Sequence, residues 1–309
     1  MASWQAHLLV PLLKWRLKRR MGAIEDVAAA RASVQANRPI RPKGVLIAAV
    51  REGNVPVERV ALPGLPAAAP LLLYLHGGGY FACSPATHRP ITASFARAGF
   101  RVVAPDYRLA PEHPFPAAVE DAVAVYRSLL RGGPQPERMA VAGDSAGGGL
   151  ALALLVALRD AGERLPAAAA LFSPWTDLAG TGESLITNDR KDAMFSARDV
   201  GRVPALYLAG ADPRTPLASP LYADLRGLPP LHIHVGGNEV LRDDSTRLAA
   251  RARTAGTSVE LTVWPVVPHV FPIFADLPEA RRAMAQTVAF LRHATGSVPG
   301  PRPYRPDRG

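Results

Sequence analysis

The chain has 309 residues, of which 48% are hydrophobic and 20% charged, with 26 glycines, 31 prolines and one cysteine. This length and apolar fraction suit one large α/β domain or two smaller ones, and they exclude a wholly disordered, collagen-like or low-complexity chain. Because Cys83 is alone, the chain can form neither an internal disulfide nor a multi-cysteine metal site. Its interior is not suited to an oxidising compartment, and a cytoplasmic location is expected.

The net charge of +10 is concentrated at the two ends of the chain. Residues 1–20 include five basic residues and no acidic one, and residues 296–309 include three arginines and one aspartate. The remaining residues, 21–295, therefore have a net charge of only +3. Because the body of the chain is nearly balanced, no nucleic-acid-binding face is expected.

The N-terminal residues combine an apolar stretch with a basic one. The apolar residues 7–13 precede the basic residues, whereas a secretory signal has the opposite order, so no signal peptide is expected. The longest uncharged helical pattern, residues 145–158, has 14 residues, and a bilayer needs ~20. No membrane span is predicted.

Strand-like and helix-like patterns alternate from residue 44 onward, which predicts a mostly parallel sheet with helices on both faces. Eight strands are predicted, at 44–50, 55–62, 70–76, 101–106, 138–143, 167–173, 230–236 and 258–264. The short link between the first two favours an antiparallel hairpin at one edge of the sheet. Helices are predicted at 87–98, 116–131, 146–162, 242–255 and 278–294. The helix at 146–162 is apolar on nearly every side, which indicates that it is the buried central helix.

Two segments interrupt this alternation, residues 1–43 and residues 174–229. A simple crossover between strands needs only about a dozen residues, so both segments are interpreted as parts of a cap. Residues 44–173 and 230–295 then form the α/β core. The Pro/Arg/Gly-rich residues 296–309 are predicted to be a disordered tail.

A candidate nucleophile follows the fifth predicted strand, which leads into Gly143-Asp144-Ser145-Ala146-Gly147 and then directly into the apolar helix. This strand–turn–helix context is the one in which a G-x-S-x-G pattern is a nucleophile elbow. The two glycines permit a tight turn that lifts the serine hydroxyl out of the carboxyl edge of the sheet. Ser145 is the predicted nucleophile, and the competing interpretation is a glycine-rich turn with a serine N-cap.

The third predicted strand ends in His76-Gly77-Gly78-Gly79-Tyr80, and consecutive glycines let backbone N–H groups converge on one point. Such donors stabilise the oxyanion that forms when a serine attacks an ester carbonyl, and an HGGG loop after this strand is typical of lipases and esterases. The predicted oxyanion hole consists of the N–H groups of Gly77, Gly78 and Ala146. A phosphate-binding loop is disfavoured because no G-K-[ST] follows.

A serine nucleophile needs an imidazole base and a carboxylate that orients it. His269 follows the last predicted strand and lies in a loop at its carboxyl edge, so it is the predicted base. Glu239 follows the preceding strand at the same edge and is the predicted acid. Asp243 is the alternative acid, although an acidic residue at the start of a helix also stabilises the helix N-terminus.

The sequence contains two further candidates, a histidine pair that could bind a metal and a cysteine that could be a nucleophile. His232 and His234 share one face of a predicted strand, but a catalytic zinc needs about three protein ligands, and no third ligand has suitable spacing. Cys83 lacks a neighbouring catalytic motif and is interpreted as a structural thiol. No metal and no cofactor are expected.

Together these residues resemble the hormone-sensitive-lipase-like (bacterial family IV) carboxylesterases of the α/β-hydrolases. The resemblance covers about residues 40–295 and rests on five segments, namely 76–80, 106–116, 143–147, 239–243 and 268–271. It implies the α/β-hydrolase fold with a helical cap and a Ser-Asp/Glu-His triad, here Ser145, Glu239 and His269. It also implies a structural role for the loop 106–116, a cap element at 12–20 whose Leu12, Leu13, Trp15 and Leu17 cover the pocket, and a homodimer.

The resulting hypothesis is a serine carboxylesterase that hydrolyses short- to medium-chain esters, with lactones and acetyl esters among the candidates, through an acyl-enzyme. One alternative is a non-catalytic ligand-binding protein of the same fold, and another is an amidase with the same triad. A membrane-surface role for the basic, apolar N-terminal stretch is the alternative to its role in the cap.

Overall fold

The computed structural model describes residues 2–18, 27–35 and 40–296. The strands are β1 (Leu46–Glu52), β2 (Val55–Ala61), β3 (Leu71–Leu75), β4 (Arg101–Pro105), β5 (Met139–Asp144), β6 (Ala168–Phe172), β7 (Leu231–Gly236) and β8 (Val259–Trp264). The helices are α1 (Trp4–Leu13), α2 (Val27–Gln35), α3 (Arg89–Arg97), α4 (Ala117–Arg131), α5 (Ala146–Asp160), α6 (Ser184–Thr187), α7 (Ala197–Leu208), α8 (Arg242–Thr254) and α9 (Pro278–Ala294). The predicted tail lies outside the described residues, apart from Gly296.

The strands form one eight-stranded sheet in the order β1-β2-β4-β3-β5-β6-β7-β8. The β1–β2 and β2–β4 pairs are antiparallel, and every pair from β4–β3 to β7–β8 is parallel. The predicted α/β-hydrolase fold class and the edge hairpin are therefore confirmed. In the parallel part the carboxyl ends of the strands meet at one edge, which is where such sheets bind ligands.

Side chains alternate between the two faces of the sheet, and each face is covered by helices. On β3, Leu73 and Leu75 join the core that contains α4, α5 and α8, whereas Leu72 and Tyr74 join the core under α3 and α9. Helix α5 is buried along most of its length, as its apolar pattern predicts. Strands that are buried on both faces need continuous runs of apolar residues. Such runs explain why the sequence predicts the parallel strands correctly.

The N-terminal helix begins earlier than expected, since α1 starts at Trp4 and not near residue 12. The Ser3 side chain accepts a hydrogen bond from the Ala6 N–H, which caps the helix, and a π-helical stretch over Lys14–Lys18 follows α1. Leu12 and Trp15 were expected to cover the pocket, but 47% and 61% of their surfaces are exposed. The expected pocket-covering role of these two residues is therefore wrong, while the side chain of Leu17 lies outside the described residues.

Two segments outside the sheet contact the carboxyl edge. From α2, the Arg31 guanidinium donates to Phe81 O and Ala110 O, both at 2.6 Å, and forms an ion pair with Glu112. Residues 174–229 contain α6 and α7, and Tyr207 of α7 stacks on Tyr80 with ring centroids 3.8 Å apart. Within the described ranges, no helix is both long enough and apolar enough to cross a membrane.

Candidate active site

Ser145 lies in a strained turn between β5 and α5. Its backbone has φ 52° and ψ −124°, a conformation that costs a non-glycine residue free energy and is found mostly at functional sites. A Cβ atom on Gly147 would lie 2.1 Å from Leu75 O, and one on Gly143 would lie 2.2 Å from Gly147 O. Glycine is therefore required at both positions, because strand and helix backbones approach too closely for a side chain.

The ends of four neighbouring strands, β5 to β8, hold the candidate residues at one edge. The Ser145 N–H donates to Phe172 O at the end of β6, at 2.9 Å. Ser173, which follows Phe172, donates a hydrogen bond from Oγ to Glu239 Oε1 at 2.8 Å. The same Oγ accepts a hydrogen bond from the Val270 N–H at 3.3 Å. The turns after β5 and β7 and the loop after β8 are thus all tied to the end of β6.

Glu239 and His269 form a buried hydrogen-bonded pair, with 2.6 Å between Glu239 Oε2 and His269 Nδ1. The Gly236 N–H donates to the other carboxylate oxygen, Oε1, at 2.5 Å. A carboxylate on Nδ1 places the proton there and leaves Nε2 as a base. His269 Nε2 is buried and has no hydrogen-bond partner among the described residues.

The surroundings of His269 set its proton affinity. Burial alone would lower the pKa of the imidazole, but the Glu239 carboxylate, with smaller effects from Asp192 and Asp144, raises that pKa above its ordinary value of 6.5. The ring also meets Phe195 of the 174–229 segment edge to face, with centroids 5.0 Å apart. This arrangement stabilises the imidazolium that forms when the base accepts a proton.

The structure distinguishes the two acidic candidates. Asp243, the alternative to Glu239, accepts a hydrogen bond from the Ser184 N–H at 2.8 Å and pairs with Arg242. Its carboxylate is directed to the 174–229 segment, and Glu239 is the residue that binds His269.

The HGGG loop lies beside the serine, since a Cβ atom built on Gly77 would be 3.1 Å from Ser145 Cβ. However, the N–H of Gly77, an expected oxyanion donor, instead donates to Asp144 Oδ1 at 3.1 Å. This part of the sequence-based expectation is corrected, because the buried carboxylate of Asp144 needs donors and takes this one. Within the part of the chain that the structure describes, the N–H groups of Gly78, Gly79 and Ala146 have no protein acceptor.

Asp144 is the centre of a buried polar cluster under the loop. Tyr74 donates its hydroxyl to Asp144 Oδ1 at 2.6 Å, and His88 Nε2 lies 3.3 Å from Oδ2. Burial opposes both charges, but their attraction prevails, so the pKa of Asp144 is lowered and the pKa of His88 is raised. The buried Asp144 carboxylate, which His88 and Tyr74 also contact, thus holds Gly77 in place.

The loop 106–116 supports the HGGG loop, in agreement with its expected structural role. The Tyr107 hydroxyl donates to His76 O at 2.6 Å, and the rings of Tyr107 and His76 stack with centroids 4.2 Å apart. Burial, together with the neighbouring His88, lowers the pKa of His76 to about 3, so that His76 is neutral.

The other candidates from the sequence, His232, His234 and Cys83, have surroundings that do not suit catalysis or metal binding. His232 Nε2 lies 2.8 Å from His234 Nε2, His232 Nδ1 lies 3.0 Å from Glu260 Oε2, and Trp264 donates to His234 Nδ1 at 3.1 Å. These contacts occupy both rings in a hydrogen-bonded chain beneath α9. Burial raises the pKa of the Cys83 thiol to about 12, which keeps it protonated and unsuited to nucleophilic attack at neutral pH.

Sequence reasoning missed three residues that organise the site, namely Arg31, His88 and Ser173. Each acts through contacts between segments far apart in the chain, such as the 97 residues between Ser173 and Val270. A lone arginine, histidine or serine outside a motif has no periodicity or spacing that would reveal such a contact.

Comparisons with known proteins place the chain in a family. The family model described as α/β hydrolase fold matches residues 72–273. An acetyl-hydrolase of Streptomyces hygroscopicus is 53% identical over 227 residues, which are 73% of this chain and 76% of that protein. Esterase LipU of Mycobacterium tuberculosis is 38% identical over 275 residues, covering 85% of this chain and 92% of that protein.

Solved structures extend the likeness to nearly the whole chain. A crystal structure of an esterase from the bacterial hormone-sensitive lipase family superposes with a TM-score of 0.89 at 43% identity, covering 96% of this chain and all of that one. The chain belongs to the α/β-hydrolase fold family. Within that family it is a carboxylic ester hydrolase of the hormone-sensitive-lipase-like branch.

Proposed function

We propose that this hydrolase cleaves short- to medium-chain carboxylic esters with Ser145 as nucleophile, His269 as base and Glu239 as the orienting acid. The observation that carries the proposal is the short hydrogen bond between Glu239 and His269 Nδ1, together with the unpartnered Nε2 of the same ring. A buried polar atom without a partner is costly, and it is explained if this nitrogen accepts the proton of the Ser145 hydroxyl during the reaction.

The reaction proceeds in two half-reactions. Ser145 Oγ attacks the ester carbonyl carbon while His269 Nε2 takes the hydroxyl proton, and the tetrahedral intermediate collapses as Nε2 returns that proton to the leaving alkoxide. Water then attacks the acyl-enzyme by the same route, which releases the acid and restores Ser145. Glu239 stays ionised throughout and stabilises the imidazolium.

The tetrahedral oxyanion is held by backbone N–H groups. Because the Gly77 N–H is engaged by Asp144, we assign the donors to Gly78 and Gly79 on the loop and to Ala146 at the start of α5. Ala146 occupies the first turn of a 15-residue helix, whose dipole adds to the stabilisation of negative charge. Removing one such donor typically costs ~3 kcal/mol of transition-state stabilisation.

Residues 1–43 and 174–229 are proposed to form the cap over the core of residues 44–173 and 230–295. Contacts from both segments support this arrangement: Arg31 binds the backbone beside the HGGG loop, and Phe195 lies against His269. Asn188 also donates to the backbone carbonyl of Glu239 at 3.0 Å. Substrate choice would then depend on side chains of the cap, with small-molecule esters, including acetyl esters and lactones, as the candidates.

Replacing the nucleophile tests the proposal. Ser145→Ala should abolish hydrolysis of p-nitrophenyl butyrate, because triad loss removes about six orders of magnitude of rate in comparable hydrolases. Ser258→Ala is the matched control, since this exposed serine precedes β8 at the opposite edge of the sheet, and its activity should equal that of the parent. Undiminished turnover by Ser145→Ala would refute the assignment.

A fluorophosphonate probe separates the alternatives. Covalent labelling of the parent and not of Ser145→Ala supports a reactive serine, whereas no labelling of either would favour a ligand-binding protein. A chain-length series of p-nitrophenyl esters, compared with the corresponding anilides, distinguishes an esterase from an amidase.

We also propose a cytoplasmic homodimer, as the family resemblance and the lone cysteine favour. Strand β8 is an edge of the sheet, and its Val263 is 43% exposed, so pairing along this edge is available. Light scattering coupled to size-exclusion chromatography measures the mass directly.

A further inference from the structure

Helix α1 has large apolar side chains on two opposite sides. On the inner side, Ala6 is fully buried and Leu9 packs against a core cluster that includes Trp264 and Phe271. On the outer side, the exposed fractions are 69% for Trp4, 64% for Leu8, 47% for Leu12 and 61% for Trp15. A helix that is apolar all round is normally buried on all sides, so the outer side lacks a partner among the residues that the structure describes.

The four exposed side chains, which we call the outer stripe, lie along one line. Spacings of four residues place Trp4, Leu8 and Leu12 within an arc of about 80° on α1, at ~3.6 residues per turn, and Trp15 follows three residues later in the π-helical stretch. The outer stripe is therefore a continuous surface feature and not a set of scattered apolar residues.

The outer stripe is displayed on a firmly attached helix. The Ser3 N–H and hydroxyl donate to the Glu279 carboxylate of α9 at 2.6 and 2.9 Å. At the other end, Lys14 Nζ donates to Arg190 O at 2.5 Å, and Lys18 Nζ donates to Asp189 O. Helix α1 and the π-helical stretch after it thus bridge the core and the 174–229 segment, and residues 189 and 190 lie beside that stretch.

The charge around the outer stripe is positive. Lys14, Arg190 and Lys191 are exposed, and Lys18 is half-buried. The nearby carboxylate of Asp189 already accepts the Ala197 N–H at 2.7 Å. A Trp/Leu face flanked by lysine and arginine suits the boundary of an anionic bilayer, where rings insert among the acyl chains and cations meet headgroups. A second copy would instead bring like charges together.

We propose that α1 docks the protein on anionic phospholipid surfaces through the outer stripe. The helix lies in the plane of the interface, and Trp4, Leu8 and Trp15 enter the headgroup and acyl boundary by about 5–10 Å. This association goes beyond the ester hydrolysis proposed above and does not depend on Ser145.

Sedimentation with large unilamellar vesicles tests the docking on the full chain. We expect the parent protein to bind vesicles of phosphatidylcholine with about 30% phosphatidylglycerol, to bind pure phosphatidylcholine more weakly, and to be released by salt. The double variant Trp4→Ser/Leu8→Ser should lower the partition coefficient at least about tenfold. Leu46→Ser, which changes a 60% exposed leucine on β1, is the matched control and should bind like the parent.

Two outcomes overturn the proposal. The first is equal vesicle binding by the parent and the double variant. The second is a parent dimer that the double variant dissociates, with no vesicle binding by either, which would assign the outer stripe to a second copy of the chain. Thermal melts by circular dichroism verify folding, and if the double variant is destabilised, the single variant Trp15→Ser provides the same comparison.

Discussion

At the scale of single residues, the site depends on how one imidazole is charged. Glu239 fixes the His269 proton on Nδ1 and at the same time makes the ring a stronger base, since the carboxylate raises the pKa of His269 above 6.5. In the proposed mechanism the second effect has a measurable consequence, because only the neutral ring can accept the proton of Ser145.

The acid limb of the rate profile should report this ring. Below the raised pKa of His269 the ring is protonated and inactive, so kcat/KM for p-nitrophenyl butyrate should fall as pH decreases, with a midpoint above 6.5. Glu239→Gln should move that midpoint to lower pH and reduce the rate about 10³–10⁴-fold, since the amide neither attracts the imidazolium nor fixes the tautomer.

The matched variant for that measurement is Asp243→Asn, since Asp243 lies four residues after Glu239, in the first turn of α8, and binds Ser184 instead of His269. Its acid limb should coincide with that of the parent. A midpoint that moves with Asp243 and not with Glu239 would exchange the roles of the two acids.

At the scale of elements, the close approach of β3 to α5 gives the nucleophile its position. Gly147 packs directly against the carbonyl groups of Leu75 and His76. There is no flexible neighbour that could move aside, because both contacts are backbone atoms.

Gly147→Ala should therefore destabilise the fold by about 3 kcal/mol or more, since its Cβ would lie 2.1 Å from Leu75 O. Gly201→Ala on α7 is the matched control, because its Cβ would meet no atom within 4 Å. That change should be neutral or stabilise the protein by up to about 1 kcal/mol, as alanine favours a helix interior. Denaturant unfolding of both variants measures the difference, and equal losses of stability would contradict the close-packing argument.

The elements were predictable because their signals are local. Each parallel strand is an apolar run bounded by turn residues, and the G-x-S-x-G and HGGG patterns mark two strand ends. The Gly77 donor was mispredicted because its direction depends on Asp144, which lies 67 residues away. The start of α1 is not predictable from the local sequence, because Ser3, which caps the helix, is held by Glu279 of the last helix. The run of basic residues instead indicates a helix at 12–20.

At the scale of the whole molecule, buried neutral histidines make stability depend on pH. Burial lowers the pKa of His76 and His234 to about 3, and it also lowers that of His232 against the opposing effect of Glu260. These rings stay neutral in the folded state at pH values where the unfolded chain, with an ordinary pKa of 6.5, binds protons.

The contribution of each such ring to the free energy of unfolding should therefore decrease as pH falls below 6.5, by up to about 1.4 kcal/mol per pH unit. Folded pKa values below the unfolded ones mean that the unfolded state takes up more protons, so acid favours unfolding. His234→Gln should reduce this slope, and His113→Gln, at an exposed position, should leave it unchanged. Urea unfolding between pH 4 and 7 gives the slopes, and identical slopes for parent and His234→Gln would disprove the linkage.

The end of β6 also determines how the site responds to distortion. Two consecutive residues there, Phe172 and Ser173, anchor the Ser145 backbone, the Glu239 carboxylate and the backbone beside His269. A displacement of this strand end would therefore be transmitted to all three groups. The alignment of the reacting groups therefore depends on a single strand end, and substitutions of the buried β6 side chains are expected to disturb all three groups at once.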